Sequence, residues 1–278
     1  MNRIDRSGEP ETSEFWRHAC FPDLAMLKAR FTRHRYELHT HPTYVIALIT
    51  EGCERVRIGR ESVLAPAGAT LIVNPEEWHD GEAGGEEGWA YRTFYPTVEL
   101  LTDIAAELGH DGAPLFPRAA LHDAELAQRL ALAHRDSVSG DALSAETTML
   151  SALRHLIVRF GDWSGRREQY DRAGSRYRLS LYEQTIEDNL GDALDLQRLA
   201  RVAGVTRFQV IRDFTKMIGV TPAAFIRDRR LRRAQHLIEG GAGLADAAFA
   251  AGFADQSHLS RAFRAAHGVT PGKFRRAN

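Results

Sequence analysis

The sequence predicts an α+β chain in two parts: an antiparallel β-barrel or jelly roll with helices behind it, then an all-helical part. Three observations carry this. Between residues 30 and 96, short segments rich in β-branched and aromatic residues ("YELHTHPTYVIALIT", "ERVRIG", "SVLAPAGATLIVNP", "WAYRTFYP") are separated by Gly, Pro and Asn. From Val98 the apolar residues recur three and four apart, the period of helices. Finally, "AGVTRFQVIRDFTKMIGVTP" (203–222) is written a second time as "AGFADQSHLSRAFRAAHGVTP" (251–271).

At 278 residues the chain is long for one compact unit, so two domains are expected. The first spans 1–161, with helices over about 98–109, 122–137 and 142–161. The polar, aperiodic stretch 162–177 reads as a linker, and 178–278 as the second domain. No run of 18 apolar residues and no apolar leader occurs, which predicts neither a membrane span nor secretion. Two cysteines, Cys20 and Cys53, make no disulfide framework and suit the cytoplasm. From Arg176 onward 17 basic residues face 10 acidic ones, a net +7, while the first 175 residues carry 19 against 27, a net −8. That asymmetry points to nucleic acid as partner of the tail.

The repeat explains the tail. Leu196, Leu199 and Ala200 give one short helix an apolar stripe, Gly204 supplies a tight turn, and Thr206 caps a second helix. On that helix Val210 and Phe214 face inward, and Phe208, Gln209 and Arg212 lie on or near the exposed side. This is a helix-turn-helix unit over about 195–217. The second unit, about 244–266, repeats it with Gly252 as the turn, Asp255 as the cap, and Gln256, Ser257, His258 and Arg261 outward. Between them Thr221-Pro222 starts a helix that runs to about Glu239. Eighteen residues make a rod about 27 Å long. Successive major grooves on one face of DNA lie about 34 Å apart, so one chain holds two reading helices at nearly that spacing. Arg229 and Arg230 on the rod are candidates for phosphate contact, or for local pairing.

Residues 179–276, with "RDRRLRRAQHLI" and "GFADQSHLSRAFRAAHGVTP", resemble the DNA-binding domain of the AraC/XylS family of bacterial transcription regulators. The resemblance implies base-facing positions at Phe208, Ile211 and Arg212 in the first unit, and at Gln256, Ser257, His258 and Arg261 in the second; Arg207 and Gln209 are further candidates for DNA contact on the first. It further implies a homodimer acting on promoter DNA with RNA polymerase. "HTHPTYVIALITEG" (39–52), "PAGATLIVNPEEWHDG" (66–81) and "YRTFYP" (91–96) resemble the cupin-like effector-binding domain of the same family.

In that barrel His39 and His41, two apart, share a face, and His79 falls at its mouth. They are candidate ligands for Zn²⁺ or another divalent ion, with Glu51 or Glu76 as a fourth; equally they line an effector pocket, or satisfy local hydrogen bonds. The sequence departs from metal-dependent cupins at Val45 and Leu71, where a Glu and a His would stand. Tyr44, Trp78, Trp89, Arg92 and Tyr95 complete the candidate small-molecule pocket. Arg92 would meet a ligand carboxylate, or else Glu51 or Glu37. The apolar stripe Leu126, Leu130, Ala133, Leu150, Leu153 and Ile157 packs on the barrel or on a second subunit. The leading expectation is an effector-controlled, sequence-specific DNA-binding regulator rather than an enzyme. The alternative is a metal-dependent cupin enzyme or metal sensor fused to a DNA-binding tail.

Overall fold

The computed structural model describes residues 11–59, 61–138, 142–163, 173–192 and 194–277, without the side chains of 173–175 and Phe208. Two compact units divide the chain, the break falling between Glu168 and Gln169. Much of the expected linker lies outside the described residues, but its last five positions are helical: α4 (Ala173–Asp188) already begins there.

Among the described residues the first unit holds nine strands: β1 (Thr12–Arg17), β2 (Ala25–Phe31), β3 (Arg35–His39), β4 (Val45–Ile58), β5 (Glu61–Pro66), β6 (Thr70–Val73), β7 (His79–Ala83), β8 (Trp89–Tyr95) and β9 (Ala120–Leu121). Every pairing is antiparallel, with β1-β2-β8-β4-β6-β9 in one layer and β5-β4-β7-β3 in the other. The fourteen-residue β4 belongs to both. Its register against β8 shifts between Ile49 and Glu51, just before Gly52 at φ +66°, where a side chain would collide with the Gly88 carbonyl.

Strand alternation gives the first layer two faces. On one, Met26, Ile46, Leu48, Ile72 and Phe94 bury against α1 (Val98–Glu107), α2 (Ala124–Asp136) and α3 (Ala142–Phe160). Leu126, Leu130, Ala133, Leu153 and Ile157 are fully buried there, so this stripe packs on the unit's own sheet. Leu150 is 37% exposed, and Leu143 (73%) and Val158 (64%) share its outer side of α3. The opposite face, with Tyr91, Thr93 and Tyr95, looks into the barrel.

The second unit continues with α5 (Leu196–Val202), α6 (Arg207–Met217), α7 (Pro222–Glu239), α8 (Leu244–Ala250), α9 (Gln256–His267) and α10 (Pro271–Ala277). Thr206, Thr221 and Asp255 cap α6, α7 and α9 by accepting from the backbone N–H three residues on, and Pro222 opens α7. Gly204 stands three positions before α6 and Gly252 four before α9, so the additional residue of the second repeat lies in its turn. Val210, Phe214, Leu259 and Phe263 are fully buried, α6 and α9 each using the inner side as core.

Candidate DNA-reading helices and sensor interior

On α6 the side chains of Arg207, Ile211 and Arg212 are exposed; that of Phe208 lies outside the described residues. Gln209 behaves differently from its expected reading role: its Nε2 donates to Asp213 Oδ1 at 2.7 Å. Asp213 is only 3% exposed and also accepts from Arg178 Nε (2.8 Å), Arg178 Nη2 (3.1 Å) and the Tyr182 hydroxyl (3.1 Å). Burial pushes this carboxyl up, but the three donors outweigh it and hold it below the usual range. The network pins α6 to α4, and Gln209 belongs to it. On α9, Gln256, Ser257, His258 and Arg261 are all exposed, and the His258 ring stands edge-on to Phe253 at 5.2 Å.

The two arginines expected to meet phosphate are engaged inside the unit. Arg230 donates from Nε to the Leu190 carbonyl (3.0 Å) and from Nη2 to the Asp192 carbonyl (2.7 Å), satisfying chain ends beyond α4. Arg229 lies over the Phe225 ring at 4.8 Å and beside Glu187 at 3.3 Å. The cause is α7's position as the central helix, whose Phe225, Asp228, Leu231, Ala234 and Ile238 are buried and draw flanking positions into contact with α4. Exposed cations beyond those the sequence pattern singled out include Arg264, one turn beyond Arg261, and Arg275 and Arg276 on α10. The i+3 spacing from Arg261 was the available signal for Arg264.

In the barrel β3 and β7 pair His39 directly opposite His79, and His41 follows two residues later. One nitrogen from each ring lies within 4.8 Å of the others, and all three side chains are buried. His39 Nδ1–H donates to the Glu37 carbonyl (2.6 Å) and His79 Nδ1–H to the Glu77 carbonyl (3.0 Å), which leaves their Nε2 lone pairs for the cluster. His39 Nε2 and His41 Nε2 are 3.0 Å apart. Burial pushes His79 down to about 4, so it is neutral at physiological pH.

On the barrel side stand Tyr36, Tyr91, Glu54 and Thr93, which sequence patterns did not mark, together with Tyr95 and Trp89, which they did. The Tyr36 and Tyr91 hydroxyls hydrogen-bond across the two layers, and Tyr95 lies 5.3 Å from His41, ring to ring. Glu54 is 7% exposed, and burial raises its carboxyl to about 8, so it is protonated at neutral pH. A Cβ at Gly81 would crowd Glu54 Oε1, so the glycine makes room for the acid. Thr93 Oγ1 and Trp89 Nε1 are buried with no hydrogen-bond partner among the described residues.

Three other expected pocket residues are placed elsewhere. Arg92 is three residues from Tyr95 on β8 and therefore faces the helices, not the barrel; neither Glu51 nor Glu37 is its partner, and Glu51 pairs with Arg30. Tyr44 is in the helix-side core, its hydroxyl donating to the Pro114 carbonyl at 2.7 Å. Trp78 is buried in the β6–β7 connection. Among the described residues neither Glu51 nor Glu76 joins the histidine cluster.

A β-barrel with inward polar groups and two helix-turn-helix units on a shared rod define a DNA-binding regulator that carries its own ligand-binding domain. The comparisons with known proteins agree: residues 21–153 match the AraC-like ligand binding domain and 199–277 a helix-turn-helix domain. The chain belongs to the AraC-type transcription regulators, which bind DNA and small-molecule effectors. It is 27% identical over 230 residues to the HTH-type transcriptional regulator YbfI of Bacillus subtilis (81% of this chain, 82% of that one). It is 29% identical over 102 residues to the HTH-type transcriptional activator RhaS of Escherichia coli (36% and 37%). ToxT of Vibrio cholerae shares the fold, with a TM-score of 0.52 at 10% identity over 96% of this chain and 97% of that one. Among the described residues no helix is long and apolar enough to cross a membrane.

Proposed function

We propose that α6 and α9 enter two successive major grooves of promoter DNA. Arg207, Ile211 and Arg212 would read one groove, and Gln256, Ser257, His258 and Arg261 the other. The exposure of these side chains, opposite a fully buried inner face, carries the reading. Arg264, Arg275 and Arg276 supply phosphate contacts in place of Arg229 and Arg230. Ile211 meets a thymine methyl, the one base-edge group that suits its side chain. The regulator acts in the cytoplasm as a homodimer that contacts RNA polymerase; the exposed Leu143, Leu150 and Val158 on one side of α3 support the dimer. The effector enters the barrel interior, where Thr93, Trp89 and Glu54 offer polar groups to a small polar molecule. The test is selection of binding sites from a random DNA library. Wild type should enrich two half-sites about one helical turn apart, and Arg261→Ala should lose preference within one of them alone. Enrichment of a single half-site, or identical preferences in both proteins, overturns the assignment.

A second reading is favoured by the converging Nε2 atoms. Two backbone carbonyls fix ring tautomers at His39 and His79 as they do around bound metals, and three converging imidazoles suit Zn²⁺. The donor set therefore fits a divalent ion held by His39, His41 and His79, which would supply a Lewis-acidic anchor for an effector. Metal content by mass spectrometry decides: near-stoichiometric metal in wild type, lost in His39→Ala/His41→Ala, supports the ion, and metal in neither protein leaves an organic pocket.

A further inference from the structure

The helix-facing side of β8 carries a cavity. It has a volume of about 640 Å³, large enough for a small organic molecule, and lies between the β1-β2-β8 edge and the C-terminal half of α2. The β-sheet layer separates it from the histidines. In register across three strands stand Glu14, Lys28 and Arg92, all lining it. Glu14 is opposite Lys28, and Arg135 on α2 is held by Asp136 at 3.0 Å. The surplus charge is therefore that of Arg92, whose hydrogen bond to the Ala131 carbonyl is stretched to 3.5 Å. Leu132 and Val138 supply an apolar wall, both well exposed for their size (38% and 65%).

Two further lining groups have unmet hydrogen-bonding capacity. The Trp16 indole N–H is buried and has no partner among the described residues. His134, only 4% exposed and edge-on to Trp16 at 5.0 Å, donates one ring N–H to the Leu27 carbonyl and leaves Nε2 without a partner among the described residues. Buried polar groups left unsatisfied are costly, and a ligand group that pairs with one recovers part of that cost. We infer that this cavity binds an organic anion with an apolar body, its carboxylate or equivalent group accepting from Arg92 and the Trp16 N–H, and its body lying along Leu132 and Val138.

The experiment is calorimetric titration of the full chain with 4-phenylbutyrate and with 4-phenyl-1-butanol, which share a body and differ in charge. The acid should bind wild type, and the alcohol roughly ten- to a hundredfold more weakly, the worth of a charge-assisted hydrogen bond. Arg92→Gln should weaken the acid by a similar factor and leave the alcohol unchanged, Arg92→Lys should restore part of it, and Trp16→Phe should cost the acid a few-fold. Circular dichroism checks that each variant is folded. His39→Ala/His41→Ala, which alters only the barrel interior, should bind the acid as wild type does. The inference is overturned by no heat of binding to wild type up to about 10 mM acid, by equal acid affinity in folded Arg92→Gln, or by loss of binding in the histidine variant.

Discussion

Replacing Glu54 by Gln tests whether the barrel interior is as dry as its geometry implies. Glu54 ordinarily titrates near 4.5; burial raises it to about 8 in the folded protein. A folded-state value raised above the unfolded one means that the unfolded chain releases its proton first. Stability attached to this group is then fully present below pH 4.5 and is lost as pH climbs to 8. Each tenfold difference in proton affinity between the folded and unfolded chain is worth about 1.4 kcal/mol, so the loss between pH 5 and pH 8 comes to about 3 kcal/mol. Gln has nearly the same shape and cannot ionise. The variant should therefore gain about 3 kcal/mol on wild type between those two pH values, equivalent to a relative shift of about 1–3 M in the urea midpoint. Comparing variant with wild type cancels the opposing slope of the buried histidines. All four tryptophans, Trp16, Trp78, Trp89 and Trp163, stand in the first unit, so fluorescence follows that unit by itself. A difference that stays flat from pH 5 to pH 8 would falsify the buried, protonated Glu54, and with it the water-poor interior.

Other expectations follow from named contacts. Arg261→Ala should cost about 1–3 kcal/mol of specific DNA affinity in a gel-shift titration while leaving the melting temperature unchanged, since the side chain is exposed. Arg230→Ala should do the reverse in kind: it strips donors from the Leu190 and Asp192 carbonyls, so the second unit should lose about 1–3 kcal/mol in chemical denaturation. Gly252→Ala should lower the same stability, because φ is +83° and the added methyl would collide with the Leu190 carbonyl and Arg230; unaltered stability would rule out that close approach. His134 is pushed down to about 4 by burial, then by the charges of Arg92 and Lys28. Its stability contribution is present above pH 6.5 and lost as pH falls towards 4, so His134→Gln should flatten the acid limb of the stability–pH curve.

Helices, caps and the repeated tail were legible because their causes are local. Thr221-Pro222 starts α7, and Thr206 and Asp255 cap α6 and α9, through contacts three residues apart that can be counted along the chain. The inner faces, Val210 and Phe214 or Leu259 and Phe263, follow from the helical period alone. Even Arg92 was within reach: three residues from Tyr95 on a strand of period two, it had to face the other way. The interior partners were not. Glu54 meets Gly81 because β4 continues past a shift in register into the second layer, and Tyr36 meets Tyr91 only once the two layers close. Likewise nothing adjacent to Arg229 and Arg230 announces that α4 and the turn after it, some forty residues earlier, supply Glu187 and the Leu190 and Asp192 carbonyls. The sequence by itself determined the elements, their capped ends and the exposed and buried faces of α6 and α9, since those depend on spacing along one helix or strand. Which polar side chains share the barrel, and which arginines are turned inward, was decided by tertiary structure. Those contacts are set by register and packing between segments far apart in the chain, where no local period carries the information.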